Sequence, residues 1–322
     1  NEFFFRDISN VRMVWELVCE GKVLKKGVEE ALNVGPHEKK PITLGGYSIP
    51  DEAKGKEVML NVDYKLKTVE PLLDLNYSIA RQQLPVSDYK FPTLAELMPK
   101  AEKVAQGKKK VAAEKVVKEE QLACLSLQAA QTTVTFNKKT GWVDYLDING
   151  APAFKKGYSL VPDFWRAPTD NDYGVDLQKK FAAWKDPKMD LKKFECKEFG
   201  DAKQVVAEYD MPTVSAKLLM TYTLRPDGQL VVNEKLTTDP NAKEKPMMFR
   251  FGMQLVMPQE FSKLQYYGRG PGENYIDRHW GDRIGVYNQN VADQYWGYVR
   301  PQESGNHTDI RWWKVLSGAG TG

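Results

Sequence analysis

Histidine and cysteine are scarce in this chain: its 322 residues hold three of each. The cysteines, Cys19, Cys124 and Cys196, are far apart and odd in number. That pattern excludes a disulfide framework and a thiolate metal cluster, and leaves them as small, buried, apolar side chains. A charge excess of one sign is missing too. The 46 basic residues face 43 acidic ones, so nothing in the balance favours a nucleic acid or an anionic membrane as partner. No apolar run reaches the roughly 18 residues that a membrane-crossing helix needs. The opening residues, Asn-Glu-Phe-Phe-Phe-Arg, lack the basic start and cleavage site of a signal peptide, and no Met leads them. The chain is therefore expected to be a piece of something longer.

Apolar residues make up 42% of the sequence, enough for a sizeable core, and aromatics reach 11%. Aromatic side chains suit half-buried strands first and carbohydrate surfaces second. The apolar pattern repeats every two residues, the period of a strand with one buried face. Val11–Cys19 and Val58–Leu66 show it, with a weaker run at 41–44, and Glu20-Gly21-Lys22 makes a turn after the first. Further on, Thr132–Asn137, 205–209, Ala216–Leu224, 230–236, 249–256 and 310–316 read as strands. Lys138-Lys139-Thr140-Gly141 and Arg225-Pro-Asp-Gly228 are turn signals. Nothing after residue 119 carries a long 3.6-residue period. Between residues 99 and 118, seven lysines accompany two glutamates and no aromatic residue, which reads as a solvated linker. Three regions follow: a small β domain at 1–90, a Lys-rich linker at 91–118 and a larger antiparallel β domain at 119–322.

Gly268-Arg-Gly-Pro-Gly-Glu273 has the glycines of a dinucleotide loop but not the helix that must follow one. A tight turn with positive φ is the expectation there. Asp170-Asn-Asp172-Tyr-Gly174 has the look of a calcium loop. Its glycine falls at the fifth position, where a ligand is needed, so an Asx-rich turn capping backbone N–H groups is expected instead. Acids that could serve sugar hydrolysis are Asp170, Asp172, Glu273, Asp277, Glu303 and Asp309, with His279 and His307 among them.

Three segments are more specific. Phe164-Trp-Arg-Ala-Pro-Thr-Asp-Asn-Asp172 closely resembles the opening signature of the β-galactosidase small-chain domain of glycoside hydrolase family 2. Tyr267-Gly-Arg-Gly-Pro-Gly-Glu-Asn-Tyr-Ile-Asp-Arg278 resembles a second signature of that domain. A third is similar to Tyr298-Val-Arg-Pro-Gln-Glu-Ser-Gly-Asn306, running on to Arg311-Trp312. Phe3-Phe-Phe-Arg-Asp-Ile-Ser-Asn10 resembles the start of the preceding immunoglobulin-like domain, so the resemblance spans essentially the whole chain.

The resemblance implies an all-β chain: an immunoglobulin-like β-sandwich followed by a large antiparallel β supersandwich like the galactose mutarotase-like fold. It implies a bacterial parent, cytoplasmic or periplasmic, that hydrolyses terminal β-galactosides. The parent's catalytic glutamates and its magnesium and sodium ions belong to a TIM barrel that nothing here matches. No catalytic residue, metal ligand or cofactor is therefore expected in this chain. The expected roles are support of that barrel, oligomer assembly and some galactoside contact, with no nucleic acid or membrane partner. A late glycine-rich Ser-Trp motif of the family, which sets a tryptophan against the sugar, is expected beyond Gly322. The signature residues to follow are Trp165, Arg166, Asp170, Asn171, Asp172, Arg269, Glu273, Asn274, Asp277, Arg278, Arg300, Glu303 and Asn306. The three signature segments are expected on one rim, with Arg166, Arg269 and Arg300 paired to Asp170, Asp172, Glu273 or Glu303. Sugar affinity without turnover is left open to exposed tryptophans such as Trp165, Trp280 or Trp296. The alternative is a carbohydrate-binding or mutarotase-like module using His279 or His307 with Glu273 or Glu303.

Overall fold

Alternation decides the architecture. The computed structural model describes residues 1–98, 115–243 and 247–318. Of the described residues, 43% are strand and 9% helix, and the sheets are antiparallel. A barrel of alternating strands and helices is thus absent from the described residues, and the all-β expectation holds. Residues 99–114 of the Lys-rich segment, and 319–322 of the terminal turn-like stretch, lie outside the described residues.

By internal contact the chain divides into two units. The first gathers Asn1–Phe91, Lys263–Gln294 and Gly305–Val315. Its four-stranded sheet runs in the order Lys22–Glu29, Val11–Cys19, Val58–Leu66, Ser78–Ser87. Val11, Met13, Trp15, Leu17 and Cys19 alternate onto one face, where Val58, Val62 and Leu66 join them. Leu32, Leu44 and Ala53, from outside the strands, cover that face. The other face of Val58–Leu66 is also covered. Met59 packs with Tyr267 and Ile284 of a second, three-stranded sheet ordered Arg283–Asn290, Lys263–Gly270, Trp312–Leu316. Asn61 and Asp63, polar residues on that same face, reach Gln83 and Arg283.

The second unit gathers the described parts of Pro92–Ser262, Tyr295–Ser304 and Leu316–Gly322. Its five-stranded sheet is built from Val117–Glu120, Cys124–Ala129, Thr132–Asn137, Val143–Ile148 and Ala151–Pro152 in chain order. A four-stranded sheet of Asp190–Phe199, Ala202–Met211, Ala216–Leu224 and Leu230–Thr238 follows the same meander. Leu125, Leu127, Val134 and Phe136 of the first sheet share one core with Val205, Leu218, Met220 and Tyr222 of the second. A short pair, Val161–Asp163 with Gly252–Gln254, packs beside them.

Several strands match the alternation residue for residue: Val11–Cys19, Val58–Leu66, Thr132–Asn137 and Ala216–Leu224. Residues 41–44 form no strand. The 249–256 run shrinks to Gly252–Gln254, and the 310–316 run begins at Trp312. Cys19 is buried, while Cys124 and Cys196 are only half-buried. The turn at Gly141 demands glycine on two counts: φ is +76°, and a Cβ would sit 2.4 Å from the Tyr209 hydroxyl. That hydroxyl donates to the Thr140 carbonyl.

The Gly268-Arg-Gly-Pro-Gly segment corrects its expectation. None of its three glycines has a positive φ. Gly268 and Gly270 lie in the extended strand Lys263–Gly270, and glycine is needed there for close approach. A Cβ on Gly268 would lie 2.3 Å from Ile310 Cδ1, and one on Gly270 2.2 Å from the Tyr266 hydroxyl.

Phe136 is fully buried and meets Tyr222 edge-on at 5.2 Å between ring centroids. Phe136→Ala is expected to destabilise the second unit by about 3–5 kcal/mol. Urea denaturation followed by far-ultraviolet circular dichroism measures it.

Candidate functional site

Each unit concentrates its polar chemistry where signature segments meet. In the second unit, residues 164–172 meet residues 298–304. The Glu303 carboxylate accepts from the Ala167 N–H at 3.0 Å and from Arg250 at 2.7 Å. Arg250 also reaches Asp163 at 3.5 Å, and Asp163 accepts from the Trp165 N–H. The Trp165 ring is half-buried, edge-on to Phe249 at 4.9 Å. Arg166 pairs with Asp172 at 2.5 Å and lies over the Phe249 ring.

Asp170–Gly174 is a short helix capped by Thr169. The Asp172 carboxylate reaches back to the Thr169 N–H at 2.7 Å, so the cap is a capping box rather than an Asx-rich turn. Burial raises the Asp172 pKa, but Arg166 and the Thr169 N–H outweigh it and hold the group below the ordinary carboxylate value. Asp170 exchanges hydrogen bonds with Gln302 and lies 3.7 Å from Arg300, which stacks over Tyr173. Asn171 is exposed.

In the first unit, residues 267–278 meet residues 305–311. Asn274 is 0% exposed and uses its amide fully. It donates to the carbonyls of Arg269 and Gly272 and accepts from the N–H and hydroxyl of Thr308. Asn306 returns a bond to the Asn274 carbonyl at 2.7 Å. Glu273 joins Arg278 at 2.7 Å and accepts from the Gly305 N–H at 2.5 Å. Asp277 is exposed.

Arg269 pairs with Asp309 at 2.7 Å, outside the four acids expected for it. Asp309 follows the third motif's asparagine and projects onto the strand that carries Arg269. The third motif is itself divided, with Arg300 and Glu303 in the second unit and Asn306 and Arg311 in the first.

The most buried charge was not among the expected residues. Glu57 is 1% exposed. Arg311 grips it bidentately, at 2.5 Å and 3.1 Å, and the Tyr267 hydroxyl donates to the same carboxylate. Burial alone lowers the Arg311 pKa, yet Glu57 beside it drives the net value above the ordinary one. Nothing in the sequence marks Glu57, which is one acid among several between Asp51 and Asp63. Arg311 was visible only as part of the third motif.

The histidines do not form the proposed acid–base pairs among the described residues. His307 lies between Gln294 Oε1 (2.7 Å), the Tyr266 hydroxyl (3.3 Å) and the Arg269 carbonyl (3.2 Å). Burial lowers its pKa, so it is a neutral ring held by neutral groups. His279 lies 4.0 Å from Asp309, against the edge of Trp280.

Glu234 behaves differently. It stands on Leu230–Thr238 between Val232 and Leu236, which both pack on the apolar core, and alternation puts it on their face. Burial, with the charge of Asp163 added, pushes its carboxyl up to about 7. Its Oε1 has no hydrogen-bond partner among the described residues. Among those residues no group of three or more His, Cys, Asp or Glu could hold a metal ion.

Comparison with known proteins covers both units. A family model described as β-galactosidase small chain matches residues 128–320, and one described as β-galactosidase domain 4 matches residues 1–87. The β-galactosidase of Priestia megaterium is 27% identical over 324 residues, covering 100% of this chain and 29% of that protein. The β-galactosidase of Lactobacillus delbrueckii subsp. bulgaricus is 28% identical over 325 residues, covering 99% and 30%. The chain thus spans less than a third of the length of these relatives.

Two outcomes follow from this geometry. Arg311→Met leaves Glu57 buried without its cation and is expected to cost about 3–5 kcal/mol in urea denaturation. Adding Glu57→Gln to that variant recovers a large part of the loss. Separately, the folded value of Glu234, about 7, lies above the 4.5 of an unperturbed glutamate. The folded state therefore holds the extra proton between those values, and stability falls as pH rises through that window. Glu234→Gln is expected to remove this slope from denaturation midpoints measured across the window.

Proposed function

The chain belongs to the β-galactosidase small chain family, and from that membership we propose that it is the non-catalytic, all-β portion of a β-galactosidase. Its role is to support a catalytic domain elsewhere in the protein and to take part in subunit assembly. The observation that carries this reading is the state of the signature carboxylates. Hydrolysis of a glycoside needs one protonated acid and one free carboxylate facing each other across the bond. Here Glu273 is committed to Arg278 and the Gly305 N–H. Glu303 is committed to Arg250 and the Ala167 N–H, and Asp172 to Arg166 and the Thr169 N–H.

Each carboxylate is engaged by donors from its own loop or a neighbouring one, so it holds a loop in place instead of facing a second carboxylate across an open gap. The Arg and Asn residues of the motifs serve the same end, fixing loops at the ends of strands where a neighbouring domain can rest on a rigid surface. The match with the relatives supports the reading as well, since essentially all of the chain aligns with less than a third of each.

The test is purified chain, at high concentration, with a chromogenic β-galactoside. No turnover above buffer is expected. Turnover abolished by Glu273→Gln or Glu303→Gln would overturn the proposal.

A further inference from the structure

The first unit contains a cleft of about 640 Å³ that none of the signature roles uses. Its walls come from the Ser78–Ser87 strand with Asp88 and Tyr89 beyond it, and from the segment 280–284. We propose that this cleft binds a neutral saccharide of one or two rings.

Size is the first argument. Pockets of roughly 300–1,000 Å³ take small organic ligands, and a sugar of that length falls well inside the range.

Charge is the second. Four arginines line the cleft, but three are already neutralised within the first unit. Arg269 pairs with Asp309, Arg283 with Asp63 and Arg311 with Glu57. What remains is Arg81, held on the Gly281 carbonyl, facing the acids Asp88 and Asp282. One cation among two anions offers neither a phosphate site nor a strong cation site. It does offer donors and acceptors side by side. Sugar hydroxyls both donate and accept, so a carboxylate and a guanidinium can each engage them without transferring charge. Asp282 has capacity for this, since the bond it accepts from the Gly272 N–H is long, at 3.4 Å.

The aromatic wall is the third argument. Trp280 is 80% exposed and Phe91 59% exposed, beside half-buried Tyr89. Large exposed rings cost solvation unless something covers them. Trp280 is not a loose side chain: His279 meets its ring edge-on at 4.7 Å, and the Arg269 guanidinium lies 6.0 Å from its centre. Arg269 lies over one face of the ring, which leaves the opposite face for the C–H face of a pyranose, the electropositive edge that an aromatic quadrupole attracts. Two lining residues, Glu57 and Arg311, are fixed to each other and, through Glu57, to the Tyr267 hydroxyl, so little ordering of them is needed on binding.

The experiment uses the whole 322-residue chain and titrates galactose, lactose and glucose by isothermal calorimetry and tryptophan fluorescence. Saturable binding in the millimolar range is expected for at least one of them. Trp280→Ala is expected to weaken it at least tenfold and Asp88→Asn to weaken it several-fold, while Trp296→Ala in the second unit leaves it unchanged. Far-ultraviolet circular dichroism confirms that each variant is folded. Asp88→Asn leaves the aromatic wall intact and carries the test if Trp280→Ala fails to fold. No saturable response to any of the three sugars would overturn the proposal. So would binding indifferent to both Trp280→Ala and Asp88→Asn, or inorganic phosphate binding where the sugars do not. The outcome is separate from the hydrolysis assay, because a chain without turnover can bind sugar or fail to.

Discussion

Glu57 is almost wholly buried, and the first unit brings donors from distant segments to its carboxylate. A carboxylate removed from water costs several kcal/mol unless donors replace its hydration. Arg311 and Tyr267 supply them from chain segments more than 200 residues away in sequence. The Arg311 backbone N–H also bonds the Tyr267 carbonyl at 2.7 Å, so the two donors are fixed to each other as well as to the acid. The guanidinium lies over the rings of Tyr89 and Tyr267, which confines it further. Around that point the two sheets of the unit share Met59, Tyr267 and Ile284.

Nearby, Gln83 does for the backbone what Arg311 does for the charge. Its amide accepts from the Ile284 N–H and donates to the Ile284 carbonyl, standing in for a neighbouring strand. Gly268 and Gly270 serve the same packing by having no side chain where Ile310 and Tyr266 approach.

The signature residues are loop rivets of one kind. Asn274 ties Arg269, Gly272 and Thr308 together through a single amide. Glu303 ties Ala167 to Arg250, and Asp172 closes the first turn of its own helix. At Asp172 the Arg166 guanidinium and the Thr169 N–H outweigh burial and hold the carboxyl below its ordinary value. Glu234 has the opposite environment, with burial and a neighbouring anion instead of donors, and its carboxyl rises accordingly. The contrast shows that local surroundings, not residue type, separate a structural acid from a titrating one.

The sequence by itself determined the class of fold and many strand limits, because alternation is a local property of consecutive residues. Val11–Cys19 and Ala216–Leu224 could be read to the residue for that reason. Strands whose burial is set by a second sheet, such as Ser78–Ser87 and Arg283–Asn290, were not legible, since their half-buried faces carry mixed residues. The motifs could be read as motifs, and Arg166 and Arg300 did find acids from the expected set. Only the tertiary structure decided that Arg269 would take Asp309, that Glu57 would be the buried charge, and that residues 263–294 would count with the first ninety by contact. Those outcomes depend on which distant segments become neighbours. A pattern of adjacent residues carries no record of that, because the free energy that selects one partner over another is released only when both are removed from water together.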